Sequence, residues 1–235
     1  MLVLSLLSDL KTHQLDYVAT FPQADADCEI YMNILLGFIV YGNTLCFTPE
    51  STKNNSQHHM LKLLKNIYGL RQAGNVWHDK LRHGLLQRSF TQSSIDPCLF
   101  YLKDVIFIVF IDDCLLFSPS DHVLDTLIAS LQEDFKLTHD GDVGAYLGVN
   151  IKHHSDGSLE LMQPGLIQKS NSVQHHTPAT NILFDDSDGP EREHSWNYHA
   201  IIGMLNYLAS STCPDIAFAV HQCAHFCTHP NSLMS

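Results

Sequence analysis

The stretch that most constrains the fold is residues 105–118 (VIFIVFIDDCLLFS), in which two apolar runs flank a pair of aspartates. Residues 105–111 are all apolar and β-branched or aromatic, and residues 114–117 form a second, shorter apolar run. Runs of this length and composition are typical of buried strands. The pattern predicts a buried β-hairpin that carries the carboxylates of Asp112 and Asp113 at its tip.

The two aspartates have two interpretations at this point. Aspartate is common in turns, because its side chain bonds to its own backbone and it tolerates turn dihedral angles. Alternatively, a rigid hairpin holds adjacent carboxylates where they can ligate a hard divalent cation, which prefers oxygen ligands. The hairpin alone favours the turn interpretation, so the choice depends on the rest of the chain.

Composition indicates a globular protein whose charge is not that of a generic nucleic-acid binder. The chain has 235 residues, of which 45% are hydrophobic and 16% charged, enough for one core and one or two subdomains. Its net charge is −12, whereas proteins that neutralise phosphates usually present a basic face. A nucleic-acid function would therefore depend on local features.

Cysteine usage and hydropathy indicate the compartment. Seven cysteines without C-x-x-C spacing do not form a disulfide framework, which favours a reducing environment. The apolar start meets Asp9 and Lys11 too early for a signal peptide. No apolar run approaches the roughly 18 residues of a membrane span. The expected protein is soluble, intracellular and cytoplasmic, without membrane contact.

Periodicity and capping signals predict the order of the elements. The apolar start, residues 1–10, indicates the end of a helix entered from upstream and hence a truncated fragment. Asn75 is expected to cap a helix over residues 76–87, and Ser120 or Asp121 a second helix with an apolar stripe. The other predicted elements are strands at 15–21, 29–32 and 98–102, a hairpin of 146–152 and 159–162 around Asp156-Gly157, a polar connector at 171–192, and helices at 196–208 and 214–226.

Histidine and cysteine alternate near the end of the chain, at positions 221, 223, 225, 227 and 229. On a helix, His221 and His225 share a face at a spacing that can hold zinc. Cys223 and Cys227 lie on the apolar stripe instead, so a four-ligand site would require the helix to break. Core cysteines beside exposed histidines are the favoured interpretation.

Short motifs occupy ordered positions along nearly the whole chain. They are 15–24 (LDYVATFPQA), 30–32 (IYM), 63–73 (LLKNIYGLRQA) with Trp77, 96–100 (DPCLF), 110–113 (FIDD), 141–143 (GDV), 146–149 (YLGV), 203–209 (GMLNYLA) and 214–220 (PDIAFAV). Together they resemble the reverse transcriptase of copia-type long-terminal-repeat retrotransposons. Each motif alone is modest, but the ordered set is highly specific.

The resemblance implies a two-metal polymerase site. Asp16 and Asp112 would be the principal ligands of Mg²⁺, with Mn²⁺ as an alternative ion, and Asp113 would be the third carboxylate. Phe21 matches the residue under the sugar that excludes the 2′-hydroxyl of a ribonucleotide. Gln72 matches a residue that contacts the incoming nucleotide, and its amide can both donate and accept hydrogen bonds.

Further positions follow from the same resemblance. Arg71 would contact phosphate or template, or it is an exposed arginine that flanks the helix. Tyr146, Leu147 and Gly148, with the hairpin after them, resemble the primer grip. The helices from Trp196 onward resemble the thumb.

The chain departs from the family pattern in several places. The hairpin has Phe110 and Ile111 where the family usually has Tyr-Val, which keeps both carboxylates and loses a hydroxyl. Gly74 stands where Pro is usual, and Cys213 where Arg is usual. The family's ribonuclease H, integrase and protease domains are not expected within this sequence. Its basic fingers strands are not expected either, and their absence would explain part of the acidic balance.

The combined prediction is a mixed α/β (α+β) polymerase palm, with an antiparallel sheet backed by helices and a helical thumb, and with the fingers largely missing. Residues 1–165 would form the palm-like core, 166–194 a connector and 195–235 the thumb-like segment. The expected function is RNA-directed DNA synthesis by two-metal nucleotidyl transfer. The expected partners are an RNA or DNA template-primer, deoxynucleoside triphosphates and other Pol polyprotein segments, such as integrase and ribonuclease H.

Two alternatives to an active polymerase stay open. One is a catalytically inactive, truncated remnant of an element. The other is a domesticated interaction module that keeps the palm scaffold without catalysis. In the family, the protein acts in the cytoplasm within virus-like particles, which is the location expected for an active form.

Overall fold

The computed structural model describes residues 1–34, 38–41, 44–47, 60–170 and 197–227. The chain divides into two compact units, residues 1–143 and 144–235, and each unit is described by itself. The helices are α1 (Leu2–Leu7), α2 (Ala73–Gln87), α3 (Asp121–Asp134), α4 (Pro164–Ser170), α5 (Tyr198–Ser211) and α6 (Ala217–Ala224).

Thirteen strands accompany these helices in the described part of the chain. They are β1 (Lys11–Tyr17), β2 (Tyr31–Asn33), β3 (Phe38–Tyr41), β4 (Thr44–Phe47), β5 (Met60–Lys62), β6 (Thr91–Gln92), β7 (Leu99–Leu102), β8 (Val105–Phe110), β9 (Asp113–Ser118), β10 (Leu137–Asp142), β11 (Ala145–Tyr146), β12 (Val149–His153) and β13 (Leu159–Met162). The predicted mixture of helices and antiparallel sheet is therefore confirmed.

The first unit is built on a six-stranded antiparallel sheet in the order β10-β1-β9-β8-β7-β6. Strand β1 lies between β10 and β9, so both of its edges are hydrogen bonded. The smaller pairs β2–β5 and β3–β4 lie outside this sheet. The predicted central hairpin is confirmed as β8 and β9.

Helices α2 and α3 contribute to one core with alternate residues of the sheet. Leu15 and Tyr17 of β1 and Phe107 and Val109 of β8 are buried, while the residues between them are more exposed. Burial of a large apolar side chain contributes roughly 1.5–3 kcal/mol, so this core holds the sheet firmly. Each helix buries one apolar stripe, which confirms the stripe predicted for α3. The buried stripe residues are Trp77, Leu81, Leu85, Leu124, Leu127, Ile128 and Leu131.

Gly84 lies where α2 packs closely against Phe135. A Cβ atom at this glycine would lie 2.6 and 2.7 Å from two ring atoms of Phe135. That ring is buried and makes edge contacts with Tyr17 and Trp77 at 5.7 and 5.9 Å, so it cannot move away without repacking the core. We expect Gly84→Ala to lower the free energy of unfolding by roughly 1–3 kcal/mol in urea denaturation, because overpacking strains a dense core.

Gly74 supplies the matched control in the same helix. Nothing lies within 4 Å of a Cβ atom at this position, and the residue is exposed. Gly74→Ala should leave stability unchanged or raise it by up to about 1 kcal/mol, because alanine has the higher helix propensity. Equal effects of the two substitutions would contradict the packing assigned to Gly84.

The predicted start of α2 is wrong. The helix begins at Ala73 with Gln72 at the N-cap, three residues before the predicted start at residue 76. Asn75 is therefore inside the helix and does not cap it. Ala73 is only 1% exposed, and its burial in the core outweighs the local capping preference of asparagine.

The predicted strand at residues 15–21 is displaced. Strand β1 runs from Lys11 to Tyr17, and the chain turns at residues 18–20, where Ala19 has a φ of +50°. Thr20 Oγ1 donates to the Tyr17 carbonyl at 2.7 Å, and Phe21 begins a 3₁₀ turn. The strand was missed at its start because residues 11–14 are polar, although β1 lies in the middle of a sheet.

The second unit contains a three-stranded sheet in the order β11-β12-β13. The predicted turn at Asp156-Gly157 is confirmed, with a φ of +83° at Gly157. Residues 146–152 are not one strand, because a tight turn at Leu147 and Gly148 separates β11 from β12. The turn needs a positive φ at both positions, which glycine adopts readily and leucine rarely, so Leu147 obscures the turn in the sequence.

The helices of the second unit also differ from the predicted bounds. Helix α5 begins after Asn197, whose side-chain oxygen accepts from the backbone N–H of Ala200 at 3.0 Å. The predicted helix at 214–226 is a 3₁₀ turn, Pro214–Ile216, followed by α6. The connector predicted at 171–192 lies outside the described residues. Among the described helices, none is long and apolar enough to cross a membrane.

Candidate active site

The register of β1 and β9 places two of the predicted site residues opposite each other. Asp16 and Asp113 are Cα partners in this antiparallel pair, so their side chains leave the same face with Cβ atoms about 4.5–5.5 Å apart. The neighbours of Asp16, Leu15 and Tyr17, point into the helix-covered core. Because side chains alternate along a strand, Asp16 and Asp113 face away from α2 and α3.

Asp112 occupies the tight turn between β8 and β9. Phe110 pairs with Asp113, which leaves Ile111 and Asp112 as a two-residue turn. The prediction that both aspartates lie at the tip is therefore wrong for Asp113, which is the first residue of β9. Ile111 has a φ of +55°, a conformation that costs a β-branched residue on the order of 1–3 kcal/mol and that is often found at functional sites.

Asp16, Asp112 and Asp113 lie around the start of β9. Backbone contact joins the elements, since the Tyr17 N–H donates to the Asp112 carbonyl at 3.2 Å. Burial raises the pKa of the Cys114 thiol, and the negative charges of Asp113, Asp112 and Asp16 raise it further. All three aspartates are half-buried, and they lie near enough to one thiol to act on it together.

Trp77 supports the turn, a role that its place in a helical stripe did not reveal. Its indole N–H donates to the Ile111 carbonyl at 2.8 Å, and the side chain is 1% exposed. A buried tryptophan usually finds a partner for its N–H, which is the signal that could have suggested such a contact. The bond ties α2 to the residue before Asp112.

The carboxylate cluster, Asp16, Asp112 and Asp113, has the donor chemistry that suits a hard divalent cation. Like charges directly opposite each other on a sheet are destabilising, and partial burial strengthens their repulsion. Carboxylate oxygens from two strands and a turn are the ligands that Mg²⁺ and Mn²⁺ prefer. Asp16, Asp112 and Asp113 are therefore the residues that could hold such an ion.

The predicted nucleotide-binding residues lie in the 3₁₀ turn after β1 and at the start of α2. Phe21, in the 3₁₀ turn after β1, is half-buried and lies 4.6 Å from the Tyr68 ring, centroid to centroid. Gln72 is half-buried at the N-cap of α2, and its side-chain nitrogen donates to Cys28 Sγ at 3.7 Å. Arg71 is exposed.

The predicted primer-grip residues form the turn between β11 and β12 in the second unit. Leu147 and Gly148 have φ values of +49° and +78°, as the central residues of a type I′ turn require. The Tyr207 hydroxyl of α5 donates to the Leu147 carbonyl. Tyr146 and Leu147 are half-buried and Gly148 is exposed.

The predicted histidine pair of the last helix shares a face. The rings of His221 and His225 lie 4.7 Å apart, centroid to centroid, and both residues are exposed. Cys223 and Cys227 are half-buried. The fifth residue of this alternating segment, His229, lies outside the described residues.

Comparison with known proteins shows the family to which this chain belongs. Residues 1–177 match the family model described as reverse transcriptase (RNA-dependent DNA polymerase). This match covers most of the chain, so the chain belongs to that reverse transcriptase family.

The most similar relatives include Pol proteins of transposons. The Retrovirus-related Pol polyprotein from transposon RE1 of Arabidopsis thaliana is 28% identical over 229 residues, which cover 92% of this chain and 15% of that polyprotein. The counterpart from transposon TNT 1-94 of Nicotiana tabacum is 26% identical over 242 residues, covering 94% and 17%. The Putative transposon Ty5-1 protein of Saccharomyces cerevisiae is 24% identical over 198 residues, covering 79% and 64%.

These relatives confirm the predicted resemblance to copia-type retrotransposons and identify the chain as a partial reverse transcriptase domain. The chain spans 15% and 17% of the length of the two Pol polyproteins. What the whole polyproteins do is therefore a separate question from what this domain does.

Proposed function

We propose that this chain catalyses RNA- or DNA-templated DNA synthesis, in which a primer 3′-hydroxyl attacks the α-phosphate of a deoxynucleoside triphosphate. The observation that carries the proposal is the direct opposition of Asp16 and Asp113 across β1 and β9, with Asp112 in the adjoining turn. Membership of the reverse transcriptase family supports the same chemistry. Residues 1–165 would then correspond to the palm and residues 195–235 to the thumb.

Asp16 and Asp112 are proposed as the principal ligands of Mg²⁺ or Mn²⁺, with Asp113 as the third carboxylate. When bound, such ions would lower the pKa of the primer hydroxyl and neutralise charge on the phosphates. The residues of the chain contribute by fixing the positions of the three carboxylates. The hydrogen-bonded edges of β1 and the contact of Trp77 with Ile111 hold the three side chains in place before substrate arrives.

Phe21 is proposed to lie under the sugar of the incoming nucleotide. Its ring packs against Tyr68 at 4.6 Å, and the 3₁₀ turn that carries it follows directly from the strand of Asp16. A large ring held in this way would collide with a 2′-hydroxyl, whereas a deoxyribose would fit. Selection against ribonucleotides is then a matter of shape.

Replacing Phe21 by alanine should relax this selection. We expect the preference for deoxynucleotides over ribonucleotides, measured as the ratio of kcat/KM values, to fall by roughly tenfold to a hundredfold, because a steric clash costs about 1–3 kcal/mol. Tyr101→Ala, which removes an exposed aromatic ring of β7, is the matched control and should leave the ratio unchanged. An unchanged ratio in Phe21→Ala would show that another residue selects the sugar.

Two further proposals concern the other predicted binding residues. Gln72 is proposed to hydrogen bond the incoming nucleotide through its amide, and the exposed Arg71 to contact phosphate or template as a charge-assisted donor. Tyr146, Leu147 and Gly148 are proposed to hold the primer strand. The turn they form is supported by the bond from Tyr207 to Leu147, which would keep the backbone of the grip in one conformation.

The proposed partners follow from this chemistry. They are an RNA or DNA template-primer, deoxynucleoside triphosphates and other segments of a Pol polyprotein, such as integrase and ribonuclease H, since two of the relatives are Pol polyproteins. An intracellular, cytoplasmic location is proposed for the same reason.

Primer extension is the experiment that tests the proposed function. The purified chain is incubated with a primed RNA template, deoxynucleotides and Mg²⁺, and extension is measured with and without a chelator. The expected result is extension that depends on the metal and the template. If the folded chain adds no nucleotide under any metal, the proposal is wrong for this chain. Extension by a version with the fingers restored would then favour the inactive remnant, and capture of one defined partner would favour the interaction module.

A further inference from the structure

Strands β1 and β10 and helix α3 bring His13, His139 and Asp125 together. Each offers one ligand atom, and these atoms all lie within 4.8 Å of one another. None of the polymerase motifs uses these residues. The question is whether this cluster is a metal site in its own right.

A β-bulge creates the cluster. Two consecutive residues of β1, Gln14 and Leu15, pair with Gly141 and His139 of β10. One residue of β10, Asp140, is therefore left over between the two pairs. Gly141 has a φ of +77°, which suits the bulged strand. The shift turns His139 to the same face as Leu15 and therefore as His13, and the two imidazole rings lie 4.6 Å apart.

The buried member of the cluster has an unsatisfied ring nitrogen. The side chain of His13 is 10% exposed, and its Nε2 lies 3.2 Å from Asp121 Oδ1. With Nε2–H donating to that carboxylate, Nδ1 is the nitrogen that carries a lone pair. Within the part of the chain that the structure describes, buried Nδ1 has no hydrogen-bond partner, and leaving such an atom unpaired costs free energy.

We propose that His13, His139 and Asp125 bind a divalent transition-metal ion of the zinc type. Two imidazoles and a carboxylate are a donor set that such ions prefer and that Mg²⁺ does not. Bonds of about 2.0–2.2 Å require the ligand atoms to approach to roughly 3.3 Å. The outer two ligands, His139 and Asp125, are exposed, so their side chains can turn to make this approach.

Asp121 contacts the cluster without being one of its three ligands, through His13 Nε2. It lies one helical turn before Asp125 on α3, so both side chains face the same strands. A histidine whose second nitrogen is held by a carboxylate is the usual arrangement at metal sites, where the carboxylate fixes the ring orientation. Asp121 therefore acts through His13 as a positioning residue.

This metal site would be separate from the carboxylate cluster of the polymerase. His13 shares a face of β1 with Leu15 and Tyr17, whereas Asp16 lies on the opposite face. A bound ion would link β1, β10 and α3 and so stabilise the strand that carries Asp16. It would not contact the substrate.

Zinc binding by the purified, metal-free chain tests the proposal. Zn²⁺ is titrated against a chromophoric chelator, in reducing buffer with excess Mg²⁺. We expect the tightest site to bind one Zn²⁺ per chain without competition from Mg²⁺. Its affinity should fall by about tenfold or more in His139→Ala and in Asp125→Asn. Two controls should leave that affinity unchanged: His122→Ala, which removes an exposed histidine of the same helix, and His221→Ala, in the pair on α6.

A cysteine substitution tests the ligand directly. In His139→Cys loaded with Co²⁺, a thiolate-to-cobalt charge-transfer band should appear that the parent lacks, because the new thiolate would join the coordination shell. Circular dichroism checks that each variant is folded. The proposal is overturned if zinc affinity is the same in His139→Ala and the parent, if only His221→Ala weakens binding, or if the folded cysteine variant shows no new band.

Discussion

Replacing Asp112 by asparagine is expected to reduce primer extension by at least roughly a hundredfold while the chain stays folded. The substitution keeps the size of the side chain and removes the charge that would bind a divalent cation at the turn. Metal ions contribute several kcal/mol of transition-state stabilisation in phosphoryl transfer, and each 1.4 kcal/mol is about tenfold in rate. The loss should appear in kcat, because the ligand acts on the reacting atoms.

Asp104 provides a matched control for this substitution. It lies in the turn between β7 and β8, at the opposite end of β8 from Asp112, and is exposed. Asp104→Asn removes the same charge from the turn at the other end of β8, so this variant should extend primers at the parent rate. Extension that survives Asp112→Asn, or that falls equally in both variants, would contradict the assigned role.

Replacing Trp77 by alanine is expected to have the largest effect on stability. The side chain is 1% exposed, makes edge contacts with Tyr17 and Phe135 at 5.1 and 5.9 Å, and donates to the Ile111 carbonyl. Removal of a buried tryptophan costs roughly 3–5 kcal/mol. Because a domain of this size is stable by only about 5–15 kcal/mol, urea denaturation should show a large loss.

Trp77→Phe separates the hydrogen bond from the packing. Phenylalanine keeps most of the apolar contact and cannot donate to the Ile111 carbonyl, so we expect a loss of about 1–3 kcal/mol together with slower primer extension. Leu86→Ala, at a more exposed position of the same helix, is the control and should change neither quantity much. Equal destabilisation by Leu86→Ala and Trp77→Ala would show that Trp77 has no special place in the core.

The sequence was most informative where apolar periodicity is strong. The hairpin of β8 and β9 and the buried stripes of α2 and α3 follow directly from patterns of period 2 and period 3.6, which decide the buried face of a strand or helix. The family motifs were equally informative, because their ordered set can be recognised in the sequence without any assignment of helices or strands. These two kinds of pattern brought Asp16, Asp112 and Asp113 into one hypothesis.

Features that depend on tertiary contacts were not predictable in the same way. The polar start of β1 is a strand because β9 and β10 supply hydrogen bonds on both of its edges. Ile111 and Leu147 adopt positive φ values that neither residue favours, so the sequence does not predict the turn conformation at these two positions. The contact between Trp77 and Ile111 joins residues 34 positions apart.

The histidine cluster illustrates the limit most clearly. His13 and His139 are separated by most of the first unit, and a single bulged residue decides whether their side chains share a face. A register without the bulge would place His139 on the other side of the sheet. Only the pairing of β1 with β10 shows that these residues are neighbours of Asp125.

Manganese binding to the carboxylate cluster tests the central claim most directly. Electron paramagnetic resonance reports free Mn²⁺, and the titration is done in the His139→Ala background so that the histidine cluster does not contribute. We predict that the parent in this background binds Mn²⁺, that Asp112→Asn weakens binding by about tenfold or more, and that Asp104→Asn does not change it. Equal Mn²⁺ affinity in the parent and in Asp112→Asn would contradict the assignment of this cluster as the polymerase metal site.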